Sequence, residues 1–293
     1  MKILICGLGS IGRKHYENLK LMGIEADICD PKILGAKYKD IYELGIHKQD
    51  YDLVIIATPT EKHIEHLHYF NDRGYPYIML EKPLYRDPLT DFPANFYVNK
   101  PVRSEIFVNH AYRFERGLRK LKELVNQGIA GKIRHVNMEN SYSFDKLHPQ
   151  QKWEDYDGII FDDSHIINTS RFLFGEPISH LNRMVRKDLA EFTWVANDGV
   201  VVSHRTDVLG ERYKKRIEVK GEKGTLIWNL KAHEVFFAPK DESERRAIPY
   251  KHACHLFEAL KYVIETVRQR KKFYINDIFD SIKDMEVIEC LRK

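Results

Sequence analysis

Cysteine is scarce and never clustered. The chain's four, Cys6, Cys29, Cys254 and Cys290, form no C-x-x-C pair, which argues against zinc ribbons and redox dithiols. Cys6 and Cys29 sit in apolar runs, where a free thiol behaves as a small apolar side chain. No apolar run approaches the roughly 20 residues of a membrane span. Charge of one sign is not in surplus either. Forty-seven Lys and Arg stand against 43 Asp and Glu, a net charge of +4. Nucleic acid is therefore not an expected partner, and neither is a membrane. The one basic run, from Arg268 to Lys272, reads as a solvated helix end. There is no internal repeat, no low-complexity tract and no metal-ligand cluster. The first residues enter a strand pattern without a leader peptide, so the expected setting is a reducing cytoplasm.

What is present divides into two halves. The length of 293 residues suits two domains, and 43% apolar content supplies their cores. Lys2 to Cys6 is a short apolar strand, followed by Gly7-x-Gly9-x-x-Gly12 and a helix whose periodic positions are Ile11, Tyr16, Leu19 and Met22. Glycines at a strand-to-helix turn are the context that gives this spacing meaning. Gly7 permits the tight turn, Gly9 lets a pyrophosphate approach the backbone, and Gly12 lets the helix pack close to the strand. Ser10 and Ile11 sit where the helix N-terminus meets phosphate charge. Glu25 to Asp30 reads as a second strand. Asp30, 18 residues after Gly12, stands where an acid accepts ribose hydroxyls and repels a 2′-phosphate. NAD is the expected cofactor, with NADP the alternative because Lys32 is near. A turn-forming Asp before Pro31 is the plainer reading.

Asp52 to Ala57 and Tyr77 to Leu80 are further buried strands, ending in Thr58-Pro59 and Glu81-Lys82-Pro83. Ligands of open α/β sheets bind beyond the carboxyl ends of the strands. Ala57, Thr58, Pro59, Glu81 and Lys82 are therefore expected at the cofactor. Thr60 is expected to cap the next helix. His63, in its first turn, either touches the cofactor region or is structural. Lys82 either orients a substrate hydroxyl and assists its proton transfer, or is a surface lysine in a turn. A cis Lys82–Pro83 bond would fix its direction. Farther on, Asp162 and His165 are three apart and Asn168 three beyond, on one side of a helical turn. A carboxylate beside an imidazole raises its basicity, so His165 reads as a proton acceptor. Helix capping by Asp162 or Asp163, with His165 incidental, reads equally well from chemistry alone.

Together, Gly7-x-Gly9-x-x-Gly12, Ala57-Thr58-Pro59 and Glu81-Lys82-Pro83 resemble the glucose–fructose oxidoreductase / inositol dehydrogenase / MocA (Gfo/Idh/MocA) family. Asn109-x-x-Tyr-Arg-Phe, Gly128-Ile-Ala-Gly-Lys132 and Gly158-x-x-x-Asp162-x-Ser164-His165-x-x-Asn168 extend the likeness, as does Gly221-Glu-Lys-Gly224-Thr225. The resemblance implies a catalytic Lys82 and an acid/base His165 whose tautomer Asp162 sets. It implies substrate contacts from Tyr112, Arg113, Asp163 and Asn168. Departures from the pattern are the glycine cluster reduced to Gly158, Ile166 in place of an acid, and Asn168 in place of an Asp. Two segments depart as well: Arg86 to Arg103, broken by Pro88, Pro93 and Pro101, and the shortened Lys146 to Asp157.

The fold class expected is α/β: an N-terminal Rossmann doubly wound sheet plus a C-terminal α+β domain with a large open, mainly antiparallel sheet. The expected domains are 1–111, 112–274, and a C-terminal helix over 275–293 packing back on the first. The second half supports this with alternating segments from Ile133 to Tyr142 and Ile178 to Phe237, and one helix from Ser164 to Leu173. The expected function is an NAD(P)-dependent oxidoreductase moving a hydride between nicotinamide and a secondary alcohol or ketone of a sugar or polyol. By analogy it is a homodimer or homotetramer. The rival is a non-catalytic nucleotide- or sugar-binding sensor that kept the fold, and a third reading is an imine or bilin-type reductase.

Overall fold

The computed structural model describes the chain except residues 46–49, 87–101, 148–151, 157, 163, 197–198, 242–243 and 293; at 155, 162, 211 and 212 it describes the backbone alone. Two compact units result. Met1–Ala111 with Leu256–Met285 forms one, and Tyr112–His255 with Glu286–Lys293 the other.

The first unit is built on five parallel strands: β1 (Ile3–Cys6), β2 (Asp27–Cys29), β3 (Leu53–Ile56), β4 (Tyr77–Leu80) and β5 (Glu105–Val108), in the order β2-β1-β3-β4-β5. Every residue of β1, β3 and β4 is buried. That explains their unbroken apolar runs, because a parallel sheet is covered on both faces. Each fully buried Leu, Ile or Val there contributes about 1.5–3 kcal/mol. Helix α1 (Ser10–Leu21) buries His15 and Leu19 on one side. Helix α2 (His63–Asp72) follows a 3-10 turn over Thr60–Lys62. Thr60 does not cap it. Pro59 precedes the turn and neither helical segment has a side-chain cap, because the 3-10 turn sets Thr60 three residues ahead of the α-helix. Strand β2 is shorter than the expected Glu25 to Asp30. Pro88, Pro93 and Pro101 lie outside the described residues.

The second unit is built on eight strands. They are β6 (Ile133–Ser143), β7 (Pro177–Val185), β8 (Leu189–Ala196), β9 (Val201–Asp207), β10 (Leu209–Gly221), β11 (Gly224–Asn229), β12 (Glu234–Pro239) and β13 (Arg246–Ile248). Their order is β13-β12-β11-β10-β6-β9-β8-β7. All neighbours are antiparallel except β6 and β9. The fold class is thus the expected one, with β13 not foreseen. Helix α3 (Arg116–Asn126) buries Leu118, Leu121 and Leu124 and packs on β11 and β12. Short helices α4 (Phe144–Leu147) and α5 (Ile159–Asp162) precede α6 (Ser164–Phe174). The chain closes with α7 (His255–Arg268) and α8 (Ile278–Arg292). Helix α8 starts later than Ile275 because Asn276 takes φ 56° and the Asp277 carboxylate accepts the Asp280 N–H at 2.8 Å. Among the described residues, no helix is long and apolar enough to cross a membrane.

One core side chain makes the fold sensitive to acid. His204 on β9 stacks on Phe192 at 4.4 Å and meets Trp194 at 4.5 Å. Among the described residues neither ring nitrogen has a hydrogen-bond partner, and burial pushes its pKa down to about 3 from 6.5. The folded chain keeps this ring neutral while the unfolded chain protonates it. This contribution is complete above the unfolded value of 6.5 and falls as pH drops toward 3. Near pH 5 the loss is about 2 kcal/mol. Urea unfolding near pH 5 and pH 7.5 should show this fall in the parent chain, and His204→Phe should remove that part of it.

Candidate active site

The parallel register aligns the strand ends. Cys6 pairs with Cys29 and Ile56, Ile56 with Leu80, and Leu80 with Val108. The next residue on each strand is Asp30, Gly7, Ala57, Glu81 and Asn109. The sequence motifs therefore form one row along the carboxyl edge of the sheet. Their amides continue the ladder: Gly7 N–H donates to Cys29 O, Ala57 to Cys6 O, Glu81 to Ile56 O and Asn109 to Leu80 O, all at 2.8–2.9 Å.

Each glycine of the turn has its own reason. Gly7 has φ +88°, and a Cβ there would lie 2.7 Å from Ala57 O; a Cβ on Gly12 would lie 2.0 Å from Gly7 O. Gly9 has nothing within 4 Å of its Cβ position, so its hydrogen faces open space at the N-terminus of α1. That is the cradle a pyrophosphate requires. Ser10 and Ile11 form the first turn of α1 beside it. The Asp30 carboxylate accepts the Leu8 N–H at 2.7 Å and the Lys32 N–H at 2.8 Å. It is fixed against the glycine turn, and each oxygen keeps a lone pair for a further donor. These residues fit a dinucleotide.

The Glu81-Lys82-Pro83 turn is held from two sides. Glu81 is buried, and its Oε1 accepts Nε2–H of His15 and Nδ2–H of Asn109, each at 2.6 Å. Burial raises the Glu81 pKa, but these bonds and the Lys82 charge outweigh it, so the carboxyl stays below its usual range. The Lys82–Pro83 bond is cis. His63 Nδ1 lies 2.8 Å from Pro83 O and Nε2 lies 3.0 Å from Thr58 O. Burial lowers the His63 pKa. The neutral ring can donate to only one of these carbonyls at a time. His63 thus braces the Thr58-Pro59 and Lys82-Pro83 turns from within.

The second unit gathers a different group. Tyr112 and Arg113 lie on a 3-10 turn over Ala111–Phe114. The Tyr112 ring meets His165 edge to face at 4.8 Å and stacks on His255 at 4.8 Å, with Lys215 Nζ 3.9 Å from its centroid. Tyr213 hydrogen-bonds Tyr112, and burial raises its pKa. Arg113 Nε donates to Asn168 Oδ1 at 2.7 Å, with both residues buried. One turn of α6 therefore meets two consecutive residues, Tyr112 at His165 and Arg113 at Asn168. The Asp162 side chain and all of Asp163 lie outside the described residues. Sequence reasoning missed His15, Lys215, Tyr213 and His255. The signal for His15 was its place in the stripe Ile11, His15, Leu19. The signal for Lys215 was its place on the inward side of β10 with Ile217 and Val219.

Residues 118–227 match the family model described as the GFO/IDH/MocA C-terminal domain. The chain is 28% identical over 255 residues to myo-inositol 2-dehydrogenase of Thermotoga maritima, covering 78% of this chain and 75% of that one. It is 25% identical over 266 residues to inositol 2-dehydrogenase of Rhodococcus jostii, covering 78% and 68%. An oxidoreductase from Agrobacterium radiobacter, solved in complex with NAD+, L-tartaric acid and magnesium, shares the fold. It has a TM-score of 0.79 at 15% identity over 99% of this chain and 94% of that one.

The two glycines separate stability from site shape. Gly12→Ala should destabilise the chain by roughly 2–4 kcal/mol, since backbone must move to admit the methyl. Gly9→Ala should leave the thermal midpoint nearly unchanged. Thermal unfolding of both variants checks the pair.

Proposed function

We propose, from the premise that the chain is a Gfo/Idh/MocA-family dehydrogenase acting on CH–OH groups, that it oxidises a secondary alcohol of a sugar or polyol with NAD, or reduces the ketone. The observation that carries this reading is the row of strand ends. It sets the glycine cradle, Asp30 and the braced Lys82 turn along one sheet edge. The similarity to the two inositol dehydrogenases supports a small polyhydroxylated substrate.

In this reading Gly9 and the first turn of α1 would hold the pyrophosphate, and Asp30 would accept the adenosine ribose hydroxyls. NAD is assigned over NADP because a 2′-phosphate would meet the fixed Asp30 carboxylate. Ala57, Thr58 and Pro59 border the cofactor. Bound nicotinamide supplies the two-electron acceptor at its C4. His165 accepts the hydroxyl proton. The Lys82 ammonium donates a hydrogen bond to the same oxygen and stabilises the negative charge that develops as hydrogen leaves the carbon with its electron pair. Reduction runs the same transfers in reverse. Asp162 sets the His165 tautomer. Tyr112 and Arg113, with Asp163 and Asn168, shape the substrate side, and the bond from Arg113 to Asn168 holds α6 in place for it.

Single-turnover absorbance with a polyol panel beginning with myo-inositol tests the assignment. Lys82→Met and His165→Ala should each slow hydride transfer by about 10²-fold or more while NADH still binds. Unchanged rates in both variants would remove the mechanism. Cofactor binding by the parent chain with no turnover on any polyol would favour the sensor reading. Asp30→Ser should shift the NADPH-to-NADH affinity ratio upward by about tenfold, read by fluorescence titration.

A further inference from the structure

We infer that His15 is a positioning residue for Lys82, acting through Glu81. The inference rests on the catalytic role proposed for Lys82 and adds the device that aims it. His15 is fully buried on α1, the helix that begins at the glycine turn. Its Nε2 lies 2.6 Å from Glu81 Oε1. Since Glu81 is held ionised, that nitrogen carries the proton and donates. Among the described residues, His15 Nδ1 has no hydrogen-bond partner, so the Glu81 carboxylate alone sets the orientation of the ring through Nε2.

A buried histidine on an apolar helix face would be replaceable by leucine if packing were its whole purpose. Here its polar contact among the described residues goes to the residue before the lysine. Glu81 has a backbone anchor at Ile56 O and side-chain anchors at His15 and Asn109. The groups facing it come from three further elements: His15 from α1, Asn109 from the end of β5, and His63 from α2, whose titration Glu81 influences. Lys82 follows directly, and the His63 brace at Pro83 O holds its other side. With both ends of the turn fixed, the lysine backbone has one direction. The helix that begins at the glycine turn and the turn that carries the amine then share one hydrogen bond.

The test uses the full chain with His15→Leu, which removes the donor, and His15→Gln, which restores an N–H at similar reach. The double variant His15→Leu/Glu81→Gln removes the donor without leaving a buried charge, in case the single leucine variant folds poorly. Hydrogen-exchange mass spectrometry of the peptide covering residues 78–86, with and without NAD+, reads the turn directly. Hydride transfer is read on any polyol the parent chain turns over, and NADH affinity by fluorescence. In the leucine variants, exchange at Glu81 to Leu84 should rise about tenfold or more while the core strands stay protected. The kcat should fall about tenfold or more, as expected for a displaced catalytic group, with NADH affinity within about threefold. His15→Gln should recover most of the parent behaviour. Exchange and kcat unchanged in both leucine variants, or glutamine as damaging as leucine, would overturn the inference. If Lys82→Met itself leaves hydride transfer intact, the catalytic reading fails instead, and the exchange result still decides whether His15 holds the turn.

Discussion

A carboxylate without solvent organises the first unit. Glu81 is 6% exposed and ionised. Removing one partner from such a buried group costs about 3–5 kcal/mol, because the remaining charge has no water to compensate it. The chain therefore cannot relax Glu81 without losing stability. That requirement ties three things together: the middle of α1 through His15, the end of β5 through Asn109, and the turn bearing Lys82. The stiffness lies at the turn that carries Lys82.

The sheet supplies the frame for that constraint. Because parallel strands pair in register, the first residue past each strand falls in one row, and chemistry distant in sequence becomes adjacent in space. Gly7, Asp30, Ala57, Glu81 and Asn109 span more than a hundred residues of chain and one edge of five strands. The second unit follows another logic. Its antiparallel-rich sheet turns inward not only apolar side chains but also Lys215, and the Tyr112 ring collects His165, His255 and that ammonium. Aromatic rings accept cations and imidazoles at their faces and edges, so one tyrosine serves as a common seat for three titratable groups.

Much of this was legible in the sequence. Short apolar runs followed by glycine, Thr-Pro or Glu-Lys-Pro read directly as buried strands with functional exits, and the cis bond at Pro83 was anticipated. The unseen part was pairwise. His15 carries no local mark of its bond to Glu81, 66 residues away. It interrupts an apolar stripe, and that interruption was the only trace. Lys215 and Tyr213 looked like ordinary polar positions of an alternating strand, because the inward side of β10 is settled by its register with β6 and β11. Thr60 was read as a cap from residue type alone, whereas the 3-10 turn displaced the helix start. Arg113 and Asn168 each read as groups available to substrate, and the fold sets them against each other.

The account's central claim is that hydrogen passes directly from a substrate carbon to nicotinamide at the edge of the five-stranded sheet. Incubating the chain with NAD+ and polyols deuterated at their carbinol carbons, then locating the label by NMR, tests it most directly. The account predicts deuterium at C4 of the reduced nicotinamide, on one face only, with no dilution by solvent hydrogen. Reduced cofactor carrying hydrogen from solvent, or no reduction with any polyol, would contradict it.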